Sequence, residues 1–268
     1  MSAGPDDVTR IDGDTPTQRL LVLLEVIAGR SDAFSLQDLV EDTGVPKPTL
    51  HRMLQQLESL GMLQREGDGR HYSTGLRLRR LAEQLLLNDT RHGARHAVLR
   101  QLVAEVGESC NITALSGSEV LYLDRVETPA PLRFYLHPGS RVPVHCSASG
   151  KLFLAQMGAA QRRRLLANVP LEAFTPRTIT EYGQLELELE RVKTQGYALD
   201  DEEFLPGLRC IAVLVGGAGR SNMGIAIQAP AMRMDVDKAL QYLPALRRAA
   251  AALASIESGE PGDTRQSA

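Results

Sequence analysis

The sequence predicts an α+β chain in two parts, a small helical N-terminal domain and a larger domain of strands and helices, joined by a linker helix. Three observations carry this. Apolar residues recur at helical spacing from about residue 17 to residue 60, and the second half alternates strand-like apolar runs with helical ones. The length of 268 residues exceeds one minimal module and falls short of three.

Taken in order, residues 1–14 hold Asp6, Asp7, Asp12 and Asp14 without an apolar run, the composition of a disordered tail. Leu20, Leu23, Leu24 and Ile27 then mark a helix over 17–28 that stops at Gly29. Ser35 stands three residues before Asp38, a capping-box start for a short second helix through Leu36, Leu39 and Val40, closed by a turn at Gly44. A third helix over 47–60 places Leu50, Leu54, Leu57 and Leu60 on one face, with Pro48 in its first turn and Gly61 at its end.

Two short helices joined by a Gly-containing turn, the second polar outside, form a helix-turn-helix. The runs 62–66 and 70–73 flank Gly67, Asp68 and Gly69 as strands of a hairpin, which makes a wing. The winged helix-turn-helix domain is thus placed at 15–75. Net charge is −3 over the chain, which taken alone argues against a nucleic-acid partner. From 47 to 80, however, Lys47, Arg52, Arg65, Arg70, Arg77, Arg79 and Arg80 face only Glu58, Glu66 and Asp68, so positive charge collects where phosphates would lie. Arg52 and Gln55 are placed to read base edges, and Lys47, Thr49, His51, Arg65 and Arg70 are assigned to the same double-stranded DNA interface. A solvated helix face is the plainer alternative for each residue taken singly.

A linker helix is placed at 76–92, where Leu76, Leu81 and Leu85 carry more apolar surface than an exposed connector tolerates, so packing against a partner chain is expected. The second domain is placed at 93–256. It comprises a helix over 97–106, strands over 112–115, 120–126 and 132–136, helical segments over 149–167 and 179–194, strands over 197–200, 209–215 and 223–228, and a last helix over 236–256. Gly216 to Gly219 read as a turn, and 257–268 as a second disordered tail. No stretch reaches the roughly 18 apolar residues of a membrane span and no signal peptide opens the chain, so a soluble cytoplasmic protein without membrane association is expected.

Chemical motifs are few. Cys110, Cys146 and Cys210 are odd in number and far apart, which suits buried small side chains better than disulfides or zinc. His92 and His96 lie one helical turn apart, but no carboxylate or Cys completes a set near them in sequence, so packing is expected and no metal or cofactor is assigned. Residues 147–151 lack the spacing of a Ser-x-x-Lys or phosphate-loop motif, and Gly217 to Gly219 lack the third Gly of a dinucleotide loop. No catalytic residue is assigned.

The phrase VPKPTLHRMLQQLESLGML (45–63) with its wing resembles the DNA-binding domain of the isocitrate-lyase-regulator (IclR) family. PVHCSASGK (143–151), GYALDDEEFLPGLRCIAV (196–213) and IAIQAPAMRM (225–234) resemble that family's effector-domain phrases, in order. The resemblance covers about 15–256. It implies a GAF-like effector domain with an antiparallel sheet, homodimers or dimers of dimers on operator DNA, and a small-molecule effector, a carboxylic acid, controlling a catabolic operon. Carried over residue by residue, it implies a pocket of Cys146, Ser147, Ala148, Ser149, Asp200, Cys210, Ala226 and Gln228, with Leu132 as a further wall.

A carboxylate above Ala148 and Ser149 would meet the N–H groups of a helix start. Ala226 and Gln228 depart from a family pattern of two Ser that suits small keto acids, which points to a larger acid, aromatic or amide-bearing. An enzyme using Cys146 or Asp200, with the N-terminal domain serving oligomerisation, is the competing expectation. A helix-turn-helix that binds protein is another.

Overall fold

The structure is a computed structural model that describes residues 15–30, 32–87, 92–167, 169–216 and 221–258. It divides between Gln84 and Leu85 into two units.

In the first unit, helix α1 (Pro16–Ala28) starts at Thr15, whose hydroxyl and Gln18 side chain close a capping box, and it buries Leu23 and Ile27. Strand β1 (Phe34–Ser35) is a two-residue strand that leads into α2 (Leu36–Thr43). The Ser35 backbone N–H donates to Asp38 Oδ2 at 2.8 Å, and the Asp38 N–H donates to Ser35 Oγ at 3.2 Å, the reciprocal pair expected from the sequence. Gly44 takes φ 66°, a left-handed turn that costs Gly nothing, and releases the chain toward α3 (Lys47–Ser59) with Pro48 in its first turn.

Leu50, Leu54 and Leu57 of α3 are at most 3% exposed and join Leu23, Ile27, Phe34 and Leu39 in one core. Each such burial contributes roughly 1.5–3 kcal/mol. The wing is β2 (Leu63–Arg65) and β3 (His71–Thr74). Phe34 pairs with Tyr72, so β1 adds a third strand that two residues were too short to announce, in the order β1-β3-β2. Gly75, before α4 (Leu76–Leu87), packs so closely on the Gly61 carbonyl that a side chain there would collide with backbone.

The second unit is an antiparallel six-stranded sheet in the order β6-β5-β4-β9-β8-β7. Its elements are α5 (His92–Val106), β4 (Ser109–Ser116), β5 (Glu119–Val126), β6 (Arg141–Pro143), α6 (Ala148–Ala155), α7 (Ala159–Leu166), α8 (Tyr182–Gln195), β7 (Ala198–Asp201), β8 (Leu208–Leu214), β9 (Met223–Pro230), α9 (Val236–Gln241) and α10 (Leu243–Ser258). One sheet face packs on α5 and α10 through Ile112, Leu121, Leu123, Ile211, Ile225 and Ile227. The other packs on α6 and α8 through Val120, Tyr122, Cys210, Ala212 and Ala226. Strand periodicity of two divides these sets.

Several boundaries correct the sequence reading. Residues 132–136 form no strand: the Leu132 carbonyl accepts from Arg233 Nη1 at 2.7 Å and the Phe134 carbonyl from Arg125 Nη2 at 2.8 Å. Arginines hold this segment's backbone, and the edge strand is β6. The segment 149–167 breaks at Gly158, which caps α7, and the last helix breaks at Tyr242 into α9 and α10. Helix α5 begins at His92, inside the span given to the linker, and α8 begins at Tyr182, three residues after Ile179. The C-terminal tail does not begin at 257, because Glu257 lies in α10 and pairs with the buried Arg95, Nε to Oε1 at 2.7 Å and Nη2 to Oε2 at 2.9 Å. The tails at 1–14 and from 259, and the turn at Gly217 to Gly219, lie outside the described residues.

Candidate functional site

Two sites emerge, one in each unit. On the first, Lys47, His51, Arg52 and Gln55 are exposed along α3 and Thr49 is half-buried, while Arg70 is exposed on the wing. The side chains of Lys47, Arg52 and Arg70 make no ion pair among the described residues, so their charge is available to a polyanion. Arg65 differs. Its Nε sits 3.0 Å from both oxygens of Glu58, its Nη1 donates to the Gly69 carbonyl at 3.2 Å, and its guanidinium lies 5.1 Å from the Tyr72 ring centre. Arg65 therefore braces the wing against α3. Asp68 shapes the wing tip by accepting the N–H groups of Arg70 at 2.9 Å and His71 at 3.0 Å, which hold its carboxyl well below the usual range.

The second site is a small cavity on the α6 face of the sheet. Register builds its floor. Asp200 pairs with Cys210 and Cys210 with Gln228, while Asn111 pairs with Ala226. All five therefore face the same side, joined by Thr113 and Tyr122. Ser147, Ala148 and Ser149 at the start of α6 form one wall and Phe204 another. Seven expected residues thus come together: Ser147, Ala148, Ser149, Asp200, Cys210, Ala226 and Gln228.

Two expected residues lie elsewhere. Leu132 is 56% exposed and outside the lining, because its segment runs over the surface rather than pairing in the sheet. Cys146 is fully buried, also outside the lining. Burial drives the thiols of Cys146 and Cys210 upward, so neither supplies a thiolate nucleophile.

Helix α6 is anchored from below. Lys151, 1% exposed, pairs with Glu188 of α8 at 3.2 Å and with Glu203. Gly150 meets the backbone of Val144 so closely that no side chain fits there. The Ser147 hydroxyl donates to the Pro143 carbonyl at 2.6 Å instead of capping α6. The first-turn N–H groups of α6 therefore lack a side-chain cap at a cavity wall, a setting that favours an anion.

Asn111 and Arg125 are functional candidates that sequence reasoning missed. Both amide atoms of Asn111, and Nε2 of Gln228, are buried without a hydrogen-bond partner. Gln228 is oriented by Arg125, whose Nη1 donates to Gln228 Oε1 at 2.6 Å, leaving the amide's donor end unpartnered. Unpartnered buried amides cost about 1–3 kcal/mol each, so a cavity that retains them is suited to a polar ligand. Asp200, 1% exposed, accepts from the N–H groups of Glu203 at 2.8 Å and Phe204 at 3.3 Å. Burial, reinforced by the Glu203 charge, pushes its carboxyl up to about 7.

Comparison with known proteins covers both units. The profile described as "IclR helix-turn-helix domain" matches residues 16–67, and the one described as "Bacterial transcriptional regulator IclR C-terminal" matches 88–255. The chain is 43% identical over 233 residues to a probable transcriptional regulator, SauR, of Cupriavidus necator, covering 87% of this chain and 92% of that one. It is 31% identical over 227 residues to the transcriptional repressor IclR of Escherichia coli, covering 84% of this chain and 83% of that one. The double mutant of the PobR inducer-binding domain from Acinetobacter, solved with 3-hydroxybenzoic acid, superimposes with a TM-score of 0.56 at 27% identity, covering 59% of this chain and 94% of that one. With both domain profiles matched in order, and relatives that are regulators rather than enzymes, the chain belongs to the IclR family of bacterial transcriptional regulators.

Proposed function

We propose that this regulator's hold on operator DNA is set by a small carboxylic acid bound in the α6 cavity. The observation that carries the effector class is the set of unpartnered amides on Asn111 and Gln228 facing the uncapped start of α6. A carboxylate meets the α6 N–H groups and the Ser149 hydroxyl, and a second polar group on the ligand meets Asn111 and Gln228. Tyr122, Phe204, Val120 and Leu208 offer an apolar body between these ends, which suits an aromatic hydroxy acid better than a two- or three-carbon keto acid. The PobR domain solved with 3-hydroxybenzoic acid supports that choice. Calorimetric titration with 3-hydroxybenzoate and with pyruvate tests it. Tighter binding of the aromatic acid is expected, and tighter binding of pyruvate contradicts the reading.

On DNA, Arg52 and Gln55 of α3 read base edges, and Lys47, Thr49, His51 and Arg70 hold phosphates. Arg65 acts by keeping the wing in place. Leu76, Leu81 and Leu85 of α4 are 54%, 44% and 65% exposed, which supports pairing of two chains through this helix and binding to paired half-sites. Effector binding then shifts the population of chain pairs able to span both half-sites.

A further inference from the structure

The geometry points to a binding site for a divalent transition metal, of the zinc type, formed by His92 and His96 of α5 and Asp124 of β5. The two histidines stand one helical turn apart, and their rings lie 5.7 Å apart at the start of α5. The carboxylate missing from their sequence neighbourhood comes from 28 residues beyond His96.

A bulge delivers it. In the β4–β5 ladder Ile112 pairs with Asp124 but Thr113 pairs with Tyr122, so Leu123 is an extra residue. Beyond such an insertion the alternation of faces reverses. Asp124 therefore turns toward α5, and Arg125 toward Gln228 on the cavity face. Without the bulge their faces would exchange.

Each histidine stands at a distance from the Asp124 carboxylate that one shared ion can bridge. His96 Nδ1 lies 3.1 Å from both Asp124 oxygens, and His92 Nδ1 lies 3.8 Å from Oδ2. The second separation is too long for a hydrogen bond. With bonds of about 2.0–2.1 Å to a single zinc, the two separations correspond to angles at the metal of roughly 100° and 135°, on either side of tetrahedral. All three donors fall within 4.8 Å of one another.

A single His–Asp ion pair would need only His96, whereas here two imidazoles converge on one buried carboxylate, His92 at ion-pair distance and His96 within hydrogen-bonding reach. Asp124 is 3% exposed, and its Oδ1 also accepts the Arg125 N–H at 2.7 Å. This second contact orients the carboxylate as outer contacts do at metal sites. Three protein ligands leave a fourth position open to water or to another donor, and the ion would fasten the first turn of α5 to β5.

The test is titration of zinc chloride into the tag-free, chelator-treated full chain, followed by calorimetry, with His92→Gln, His96→Gln and Asp124→Asn beside it. One zinc per chain is expected, with affinity falling at least tenfold in each variant. Absence of stoichiometric binding overturns the proposal, as does unchanged affinity in both histidine variants. If Asp124→Asn unfolds, the histidine variants decide, since those side chains are 52% and 40% exposed and their loss is compatible with folding. Neither variant touches the α6 cavity, so a failed zinc titration leaves the effector reading untouched, and the reverse holds too.

Discussion

At the scale of single residues, the cavity's character comes from polar groups that the fold buries and leaves unpaired. Gln228 is aimed by Arg125, and Asn111 has neither amide atom satisfied. Replacing either by Ala removes contacts to the ligand, and affinity for 3-hydroxybenzoate should fall at least tenfold, about 1.4 kcal/mol, as measured by calorimetry. Asp200 adds a pH dependence. Its carboxyl titrates near 7 in the folded chain against an ordinary value of 3.8, so it binds its proton more tightly folded than unfolded, and its contribution to stability falls as pH rises between those values. In the cavity, an ionised Asp200 also repels an anion. Effector affinity should therefore drop as pH climbs through about 7, and Asp200→Asn should flatten that drop. An unchanged profile in the variant would remove Asp200 from the account.

The elements show which of these features were legible in the sequence. Local chemistry announced the first unit: the Ser35–Asp38 capping box, Gly44, Pro48 and the leucine spacing of α3 each stand where the chain needs them. The wing's turn was equally plain, but the role of Arg65 was not, because its partner Glu58 sits on another element. In the second unit β4, β5, β7, β8 and β9 were found, the edge strand β6 was misplaced at 132–136, and register was not legible, since it depends on partners far along the chain. Asn111 and Thr113 do alternate with Cys110, Ile112 and Ala114 along β4, and that two-residue rhythm was a readable sign of a polar cavity face. The bulge at Leu123 left no such sign, so Asp124 could not be joined to His92 and His96. Gly150 gives a test at this scale. Its contact with the Val144 backbone makes Gly150→Ala an overpacked site costing roughly 1–3 kcal/mol, visible as a lowered denaturation midpoint, whereas the same change at Gly158, which meets nothing, should cost less.

For the molecule as a whole, an acidic chain binds DNA because α3, the wing and the start of α4 are locally basic, with Lys47, Arg52, Arg65, Arg70, Arg77, Arg79 and Arg80 against Glu58, Glu66 and Asp68, although acidic residues outnumber basic ones over the full sequence. Arg70→Ala should weaken binding about equally on all sequences and lower the salt dependence by roughly one ion, whereas Arg52→Ala should also relax sequence preference. No helix among the described residues is long and apolar enough to cross a membrane. The second unit contributes its cavity, and coupling between effector and DNA requires that the ligand favour one arrangement of the chain pair over another.

The most direct measurement is fluorescence anisotropy of labelled DNA from the promoter of the chain's own gene, titrated with wild-type protein and with Arg52→Ala, in the presence and absence of 3-hydroxybenzoate. Specific, salt-sensitive binding is expected, weakened by about 1–3 kcal/mol in Arg52→Ala, and shifted by the acid in wild type but not in an Asn111→Ala/Gln228→Ala double variant. Equal affinity for unrelated DNA, or a response to the acid that survives the double variant, would contradict that expectation.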